Sequence, residues 1–178
     1  HPHGKVVISV FARFNDTAKN FVAFCDALLL LKPDVRSRIE VRLYGAGELL
    51  MHLQNSGLHI LGYATGQAKR DALAQTDIVM MPSTKESFGI VGLEALLSNC
   101  HLLATPGLGM DEYLPPECAC APNAASIAAH VTQCLINIDS IRGKQNAGYY
   151  RKLVEKPEFS IERMADNYIA VWQGMAQR

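Results

Sequence analysis

Several features that would point to nucleic acid, a membrane or a metal are missing from this sequence. Its 17 basic side chains are balanced by 17 acidic ones, so the formal net charge is zero. No overall field draws it to nucleic acid or to an anionic surface, and any anion site has to be built locally. No apolar run approaches the roughly 18 residues that a spanning helix needs; the longest, Ala27-Leu28-Leu29-Leu30-Leu31, sits in an amphipathic stretch. The segment His1-Pro2-His3-Gly4 carries no secretory pattern and reads as a disordered end rather than a metal site. Cys25, Cys100, Cys118, Cys120 and Cys134 form an odd, scattered set without CxxC spacing. That argues against a zinc site or a disulfide framework and predicts buried thiols in a reducing cytoplasm.

What is present is the composition of an ordinary globular domain, 178 residues long with 49% hydrophobic and 19% charged side chains, long enough for one substantial core. β-Branched, apolar runs at 5–12, 39–44, 58–63, 77–82, 101–105 and 119–122 read as strands buried on both faces. Between them, helical periodicity appears at 18–31, where Phe21, Cys25, Leu28 and Leu29 share a face, and at 48–54, 67–75 and 89–97. A further helix begins at Asn123, a good N-cap, with Ile127, Val131, Cys134, Leu135 and Ile138 in register. Alternation at this spacing predicts a single domain over 1–178: a Rossmann-like, three-layer α/β/α sandwich with a parallel sheet of about six strands. Ser160 can cap one more helix at the C-terminal end. Its apolar face, Met164, Tyr168, Val171, Trp172 and Met175, needs cover from the sheet or from a partner domain.

In such sheets ligands bind beyond the carboxyl ends of the strands. After the first strand, Arg13 and Lys19 place two cations at the top of the sheet and at a helix start, where the dipole favours anions. They suit either a diphosphate or an ordinary solvated loop. After the second strand, Gly45-Ala46-Gly47 lacks the third glycine of the dinucleotide fingerprint, since position 50 is Leu50, and reads as glycines easing a tight turn. An NAD-dependent oxidoreductase would rest on that turn alone.

The segment after the fourth strand is more informative. A helix starting near Gly89 would direct the free amides of Phe88, Gly89 and Ile90 outward, a phosphate-binding arrangement. Gly89 leaves room for close approach. Glu94 lies one turn on from Ile90, its side chain leaning back toward the helix start, where it can accept hydrogen bonds from a ribose diol. Helix-dipole preference accounts for Glu86 but poorly for Glu94, which stands among Leu93, Ala95, Leu96 and Leu97.

The run Glu86-Ser87-Phe88-Gly89-Ile90-Val91-Gly92-Leu93-Glu94 resembles the E-x7-E signature of the retaining glycosyltransferases of family 4. The flank Ala74-Gln75-Thr76-Asp77-Ile78-Val79-Met80-Met81-Pro82-Ser83 is similar to that family's A-x-x-D-x-x-x-x-P-S strand. Arg13, Lys19, Gly45-Ala46-Gly47-Glu48, Leu61-Gly62-Tyr63, Ala104-Thr105 through Glu112, and Phe159-Ser160-Ile161-Glu162-Arg163-Met164 follow in the family's order. The sequence departs from it at Ala12, Asn99 and His101, of which His101 reads as structural rather than as a catalytic acid.

The resemblance implies one half of a GT-B fold, the donor-binding half, with the N-terminal acceptor-binding domain absent. It implies that Glu86 holds sugar hydroxyls and Glu94 the ribose. Arg13, Lys19 and the amides near Gly89 and Ile90 would hold the diphosphate, and Tyr63 and Ala64 the base. The expected ligand is a UDP-, GDP- or ADP-sugar, with no metal required, no nucleic acid, and membrane association only through the facing domain. A catalytically inactive nucleotide-sugar sensor or scaffold is the rival.

Overall fold

The computed structural model describes residues 4–47, 58, 60–110 and 113–176; the expected helix at 48–54, the turn at 55–57, and His1, His3, His59, Asp111 and Glu112 lie outside them. Four parallel strands form the sheet: β1 (Val6–Arg13), β2 (Ile39–Ala46), β3 (Ile78–Met81) and β4 (His101–Ala104), in the order β2-β1-β3-β4. Around them run α1 (Phe21–Leu30), α2 (Pro33–Ser37), α3 (Gly66–Ala74), α4 (Ile90–Leu97), α5 (Ala124–Ile136), α6 (Ile138–Asn146), α7 (Tyr149–Val154) and α8 (Ile161–Ala176).

Alternation along the strands sends their side chains to two separate cores. Ile8, Val10, Ile78, Met80 and Leu103 pack with Phe21, Phe24 and Leu28 of α1 and Ile127, Val131 and Leu135 of α5. Val79, Met81, Leu102 and Ala104 pack on the opposite face with Leu73 of α3, Ala95 and Leu96 of α4, and Tyr150 of α7. The sheet is thus covered on both sides, as its near-continuous apolar strands require.

The two remaining expected strands are reduced to single parallel bridges, Leu43 with Ile60 and Ala104 with Ala119. At the second, a 3-10 turn over Pro116–Cys118 runs up to the bridge and the N-cap of α5, Asn123, follows just after it. Too little extended chain remains for a ladder. The expected helix at 18–31 also starts later than its periodicity implied. Thr17–Lys19 form a 3-10 turn, Asn20 takes a left-handed conformation with φ 52°, and α1 opens at Phe21. Phe21, Cys25 and Leu28 face the core as expected, joined by Phe24 and Ala27, while Leu29 is 60% exposed. The long helix from Asn123 divides into α5 and α6 at Asn137.

Ser160 caps α8 as expected, its hydroxyl accepting from the Arg163 amide at 3.1 Å. The sheet does not cover the helix: Tyr168, Val171 and Met175 are exposed and Trp172 is 72% exposed. No helix among the described residues is long and apolar enough to cross a membrane. All five cysteines are buried free thiols.

One buried carboxylate ties the base of the sheet together. Asp77 is fully buried and accepts from the Val7 amide at 2.9 Å and from both Arg142 Nε, at 2.8 Å, and a terminal guanidinium nitrogen, at 3.2 Å. Its own carbonyl accepts from the His101 amide and from Gln145, so β1, β3, β4 and α6 converge on one residue. Arg142→Met removes two charge-assisted hydrogen bonds from that buried carboxylate, and we expect urea unfolding to show a loss of roughly 3 kcal/mol. Lys144→Met removes an exposed pair with Glu117 and a cation–π contact with Tyr149 and should cost about 1 kcal/mol.

Candidate functional site

The site forms where the loops after β1, β3 and β4 are fastened to one another. Beyond Arg13 the chain stays against β2 through the Phe14 amide, which donates to the Ala46 carbonyl at 2.8 Å. Asp16 then caps the 3-10 turn by accepting from the Ala18 amide at 3.0 Å. Asn20 next places its side-chain amide between two other loops, donating to the Pro82 carbonyl at 3.0 Å and to Pro122 at 2.9 Å. The Thr84 amide donates to Ala18 O at 2.8 Å. With the turn so fixed, Lys19 Nζ meets Glu86 Oε2 at 2.7 Å.

The loop bearing Glu86 is held from its other side. Gly109 donates to the Glu86 carbonyl and lies so close that a Cβ on it would stand 1.7 Å from Ser87 O. The buried Tyr113 hydroxyl donates to Phe88 O at 2.5 Å and to Gly89 O at 2.9 Å. Burial, and secondarily the charge of Glu86, raise the pKa of Tyr113, so it remains a donor through the physiological range. Gly89 adopts φ 74°, and a Cβ there would meet the Met110 side chain at 2.4 Å; both backbone and space demand glycine.

Gly89 is the N-cap of α4, so the helix begins at Ile90, one residue later than expected from sequence. The amides of Gly92 and Leu93 are taken by Gly89 O, so those of Ile90 and Val91 have no partner within the helix. Ahead of it is a cavity of about 240 Å³ walled by Ala12, Lys19, Pro82, Glu86, Phe88 and Gly89, with Ile90 and Val91 at its edge.

A second cavity of about 170 Å³ adjoins it across Phe11, Ala12 and Val91. Tyr44, Gly45, Tyr63, Ala64 and Lys69 complete its wall. Phe11 and Tyr44 stack with ring centroids 4.8 Å apart and 12° between planes. Gly45 permits this approach of β2 to β1: a Cβ there would stand 1.7 Å from Ala12 O. The glycines of Gly45-Ala46-Gly47 therefore serve strand proximity, not a dinucleotide turn.

The structure thus gathers Lys19, Glu86, Phe88, Gly89 and Ile90 around one cavity, and Tyr63 and Ala64 around its neighbour. Glu94 lines neither; its Oε2 is in contact with the ammonium of Lys69 on α3. Arg13 stands outside both, 70% exposed, with Asp16 at 3.7 Å. Three residues of the site escaped the sequence reading: Lys69, Asn20 in its clamping role, and Tyr113. A cation near a helix start is ill placed unless something anionic meets it, and Lys69, the fourth residue of α3, carries that signal in the sequence as Lys19 does.

His101 lies outside the site. It is 3% exposed at the opposite end of β4, its Nδ1 hydrogen-bonded to Tyr150 Oη at 2.9 Å. Burial, against a smaller opposing effect of Glu117, pulls its pKa down to about 4. Asn99, another departure from the family pattern, takes φ 59° and its side chain accepts from the Arg151 amide at 3.0 Å. With the His101 pKa lower in the folded than in the unfolded chain, the unfolded state binds more protons between pH 4 and 6.5. The stabilisation is whole above pH 6.5 and fades as pH falls to 4, by about 3 kcal/mol. Urea unfolding across that range should show this slope, and His101→Gln should flatten it.

Comparison with known proteins now adds to this geometry. No curated protein matches the chain in sequence. Among solved structures it is similar to the catalytic domain of cholesterol-alpha-glucosyltransferase from Helicobacter pylori, with 18% identity and TM-score 0.68 over 81% of this chain and 94% of that one. It is similar to Anabaena HepE, solved in complex with UDP and glucose, with 17% identity and TM-score 0.73 over 96% of this chain. Sucrose-phosphate synthase from Thermosynechococcus elongatus superposes with 17% identity and TM-score 0.77 over 99% of this chain. The chain spans 49% of the Anabaena chain and 47% of the Thermosynechococcus one. At these identities the likeness is one of fold, a GT-B half. The family model described as "Glycosyl transferases group 1" matches residues 5–137, well over half of the chain, and the chain belongs to that family.

Proposed function

We propose that this domain binds the donor, a nucleoside diphosphate sugar, and in a longer enzyme transfers the sugar with retention of anomeric configuration, as the family 4 signature suggests. The observation that carries the reading is the cavity at the start of α4, lined by Lys19, Glu86, Ile90 and Val91, with Lys19 paired to Glu86. An uncapped helix start beside an ammonium is suited to a diphosphate, and the carboxylate paired with that ammonium is suited to sugar hydroxyls. The aromatic-walled second cavity beside it has room for the nucleoside, with Tyr63 and Ala64 toward the base and Glu94 toward the ribose. HepE, of the same fold, was solved with UDP and glucose.

The chemistry follows from charge. As the bond from the anomeric carbon to the diphosphate oxygen breaks, negative charge grows on the leaving phosphate. The ammonium of Lys19, the helix-start amides and, from outside the cavity, Arg13 would meet it. Charge-assisted hydrogen bonds of this kind contribute about 1.5–3 kcal/mol each. These groups supply the stabilisation themselves, and donor binding is accordingly proposed not to depend on a divalent metal. The facing domain would bring the acceptor, exclude water and cover the apolar face of α8; the domain alone is proposed to be inactive. A reducing cytoplasm fits five buried free thiols.

Titration calorimetry with UDP, GDP and ADP, with and without EDTA, tests this. One of the three should bind, unaffected by EDTA. Lys19→Ala and Glu94→Ala should weaken it about tenfold or more each, whereas Glu86→Ala should act mainly on the sugar-bearing donor. Unchanged affinity in the first two variants overturns the assignment of the site. A full-length chain with no sugar transfer but intact binding would favour the sensor reading instead.

A further inference from the structure

We infer that Lys69 is a nucleoside-binding residue of this chain and that, with Glu94, it forms a two-sided clamp for the vicinal diol of the ribose. The inference rests on the donor reading above and extends it to a residue that neither the sequence motif nor the family comparison marks. Lys69 is the cation in the wall of the cavity formed by Phe11, Tyr44, Gly45, Tyr63 and Ala64. Glu94 is not in that wall, but its carboxylate is in contact with the Lys69 ammonium.

The placement of the ammonium is determined from two directions. Its Nζ stands 5.6 Å from the Phe11 ring centroid, a cation–π distance, and Phe11 is itself fixed by stacking on Tyr44. The other direction is the contact with Glu94 Oε2. An ammonium has three donors and no acceptor; a carboxylate has acceptors and no donor. A vicinal diol offers both at each hydroxyl. A lone carboxylate satisfies its donors and leaves its oxygen lone pairs unpaired, whereas a carboxylate and an ammonium side by side satisfy both. Lys69 also neutralises Glu94 in a cleft that must accept a diphosphate. Without it, Glu94 would repel the ligand it is meant to hold.

The experiment compares each ribonucleotide with its 2′-deoxy counterpart: UDP with 2′-dUDP, GDP with 2′-dGDP and ADP with 2′-dADP, by calorimetry on the wild type, Lys69→Met and Lys69→Arg. The wild type should prefer the ribonucleotide about tenfold. Lys69→Met should lose most of that preference by weakening the ribonucleotide far more than the deoxynucleotide, and Lys69→Arg, which keeps the donors and the charge, should retain most of it. Thermal melting without ligand checks that each variant folds, and Lys69→Gln replaces the methionine variant if that one does not. If a nucleotide binds but Lys69→Met changes both members of its pair by the same factor, or neither, the clamp is overturned while the donor reading stands. If no nucleoside diphosphate binds the wild type, the donor reading fails, and the clamp with it.

Discussion

The candidate site depends on one side-chain amide. Asn20 donates to Pro82 O beyond β3 and to Pro122 O beyond the bridge at Ala119, while its own left-handed backbone turns the chain from the 3-10 turn into α1. Three loops that leave the sheet at different strands are thereby brought to one depth. The Thr84–Ala18 bond completes the fastening, and only then can Lys19 and Glu86, 67 residues apart, meet. The arrangement is rigid because both acceptors are backbone carbonyls of proline residues, whose conformational freedom is already small.

Much of the fold could be read in the sequence, because buried parallel strands and amphipathic helices announce themselves through periodicity. The run Val6-Val7-Ile8 and the run Ile78-Val79-Met80-Met81 are apolar at every position since both faces of the sheet are covered. What could not be read arose where a single residue reset the pattern. The left-handed Asn20 delays the start of α1 to Phe21, and Thr17–Lys19 form a 3-10 turn ahead of it. Asn137 broke one long helix into two. Near Ala119, Pro115 and Pro116, the latter opening the 3-10 turn, shortened a strand to one bridge.

The site divides in the same way. Glu86 to Glu94 is contiguous, so its spacing on one helix start carries the chemistry by itself. Lys69 meets Glu94 across 25 residues, and Tyr113 reaches Phe88 O across a similar span; no local pattern records either. The carboxylate of Asp77, by contrast, stood within a recognisable flank, yet its task proved to be holding the base of the sheet to α6 through Arg142, at the end away from the cleft.

Among the described residues, three cations in and beside the cleft each have a carboxylate partner: Arg13 with Asp16, Lys19 with Glu86, Lys69 with Glu94. A diphosphate that enters must draw these cations away from partners that stay nearby. Under the donor reading, this governs how the reaction ends. Once the sugar has gone, the nucleotide left behind competes with Glu86, Glu94 and Asp16 for the same three charges, and each carboxylate that recovers its cation loosens the product by one contact. The ion pairs of the unliganded domain would thus act as a return spring for turnover, trading some affinity for a faster exit.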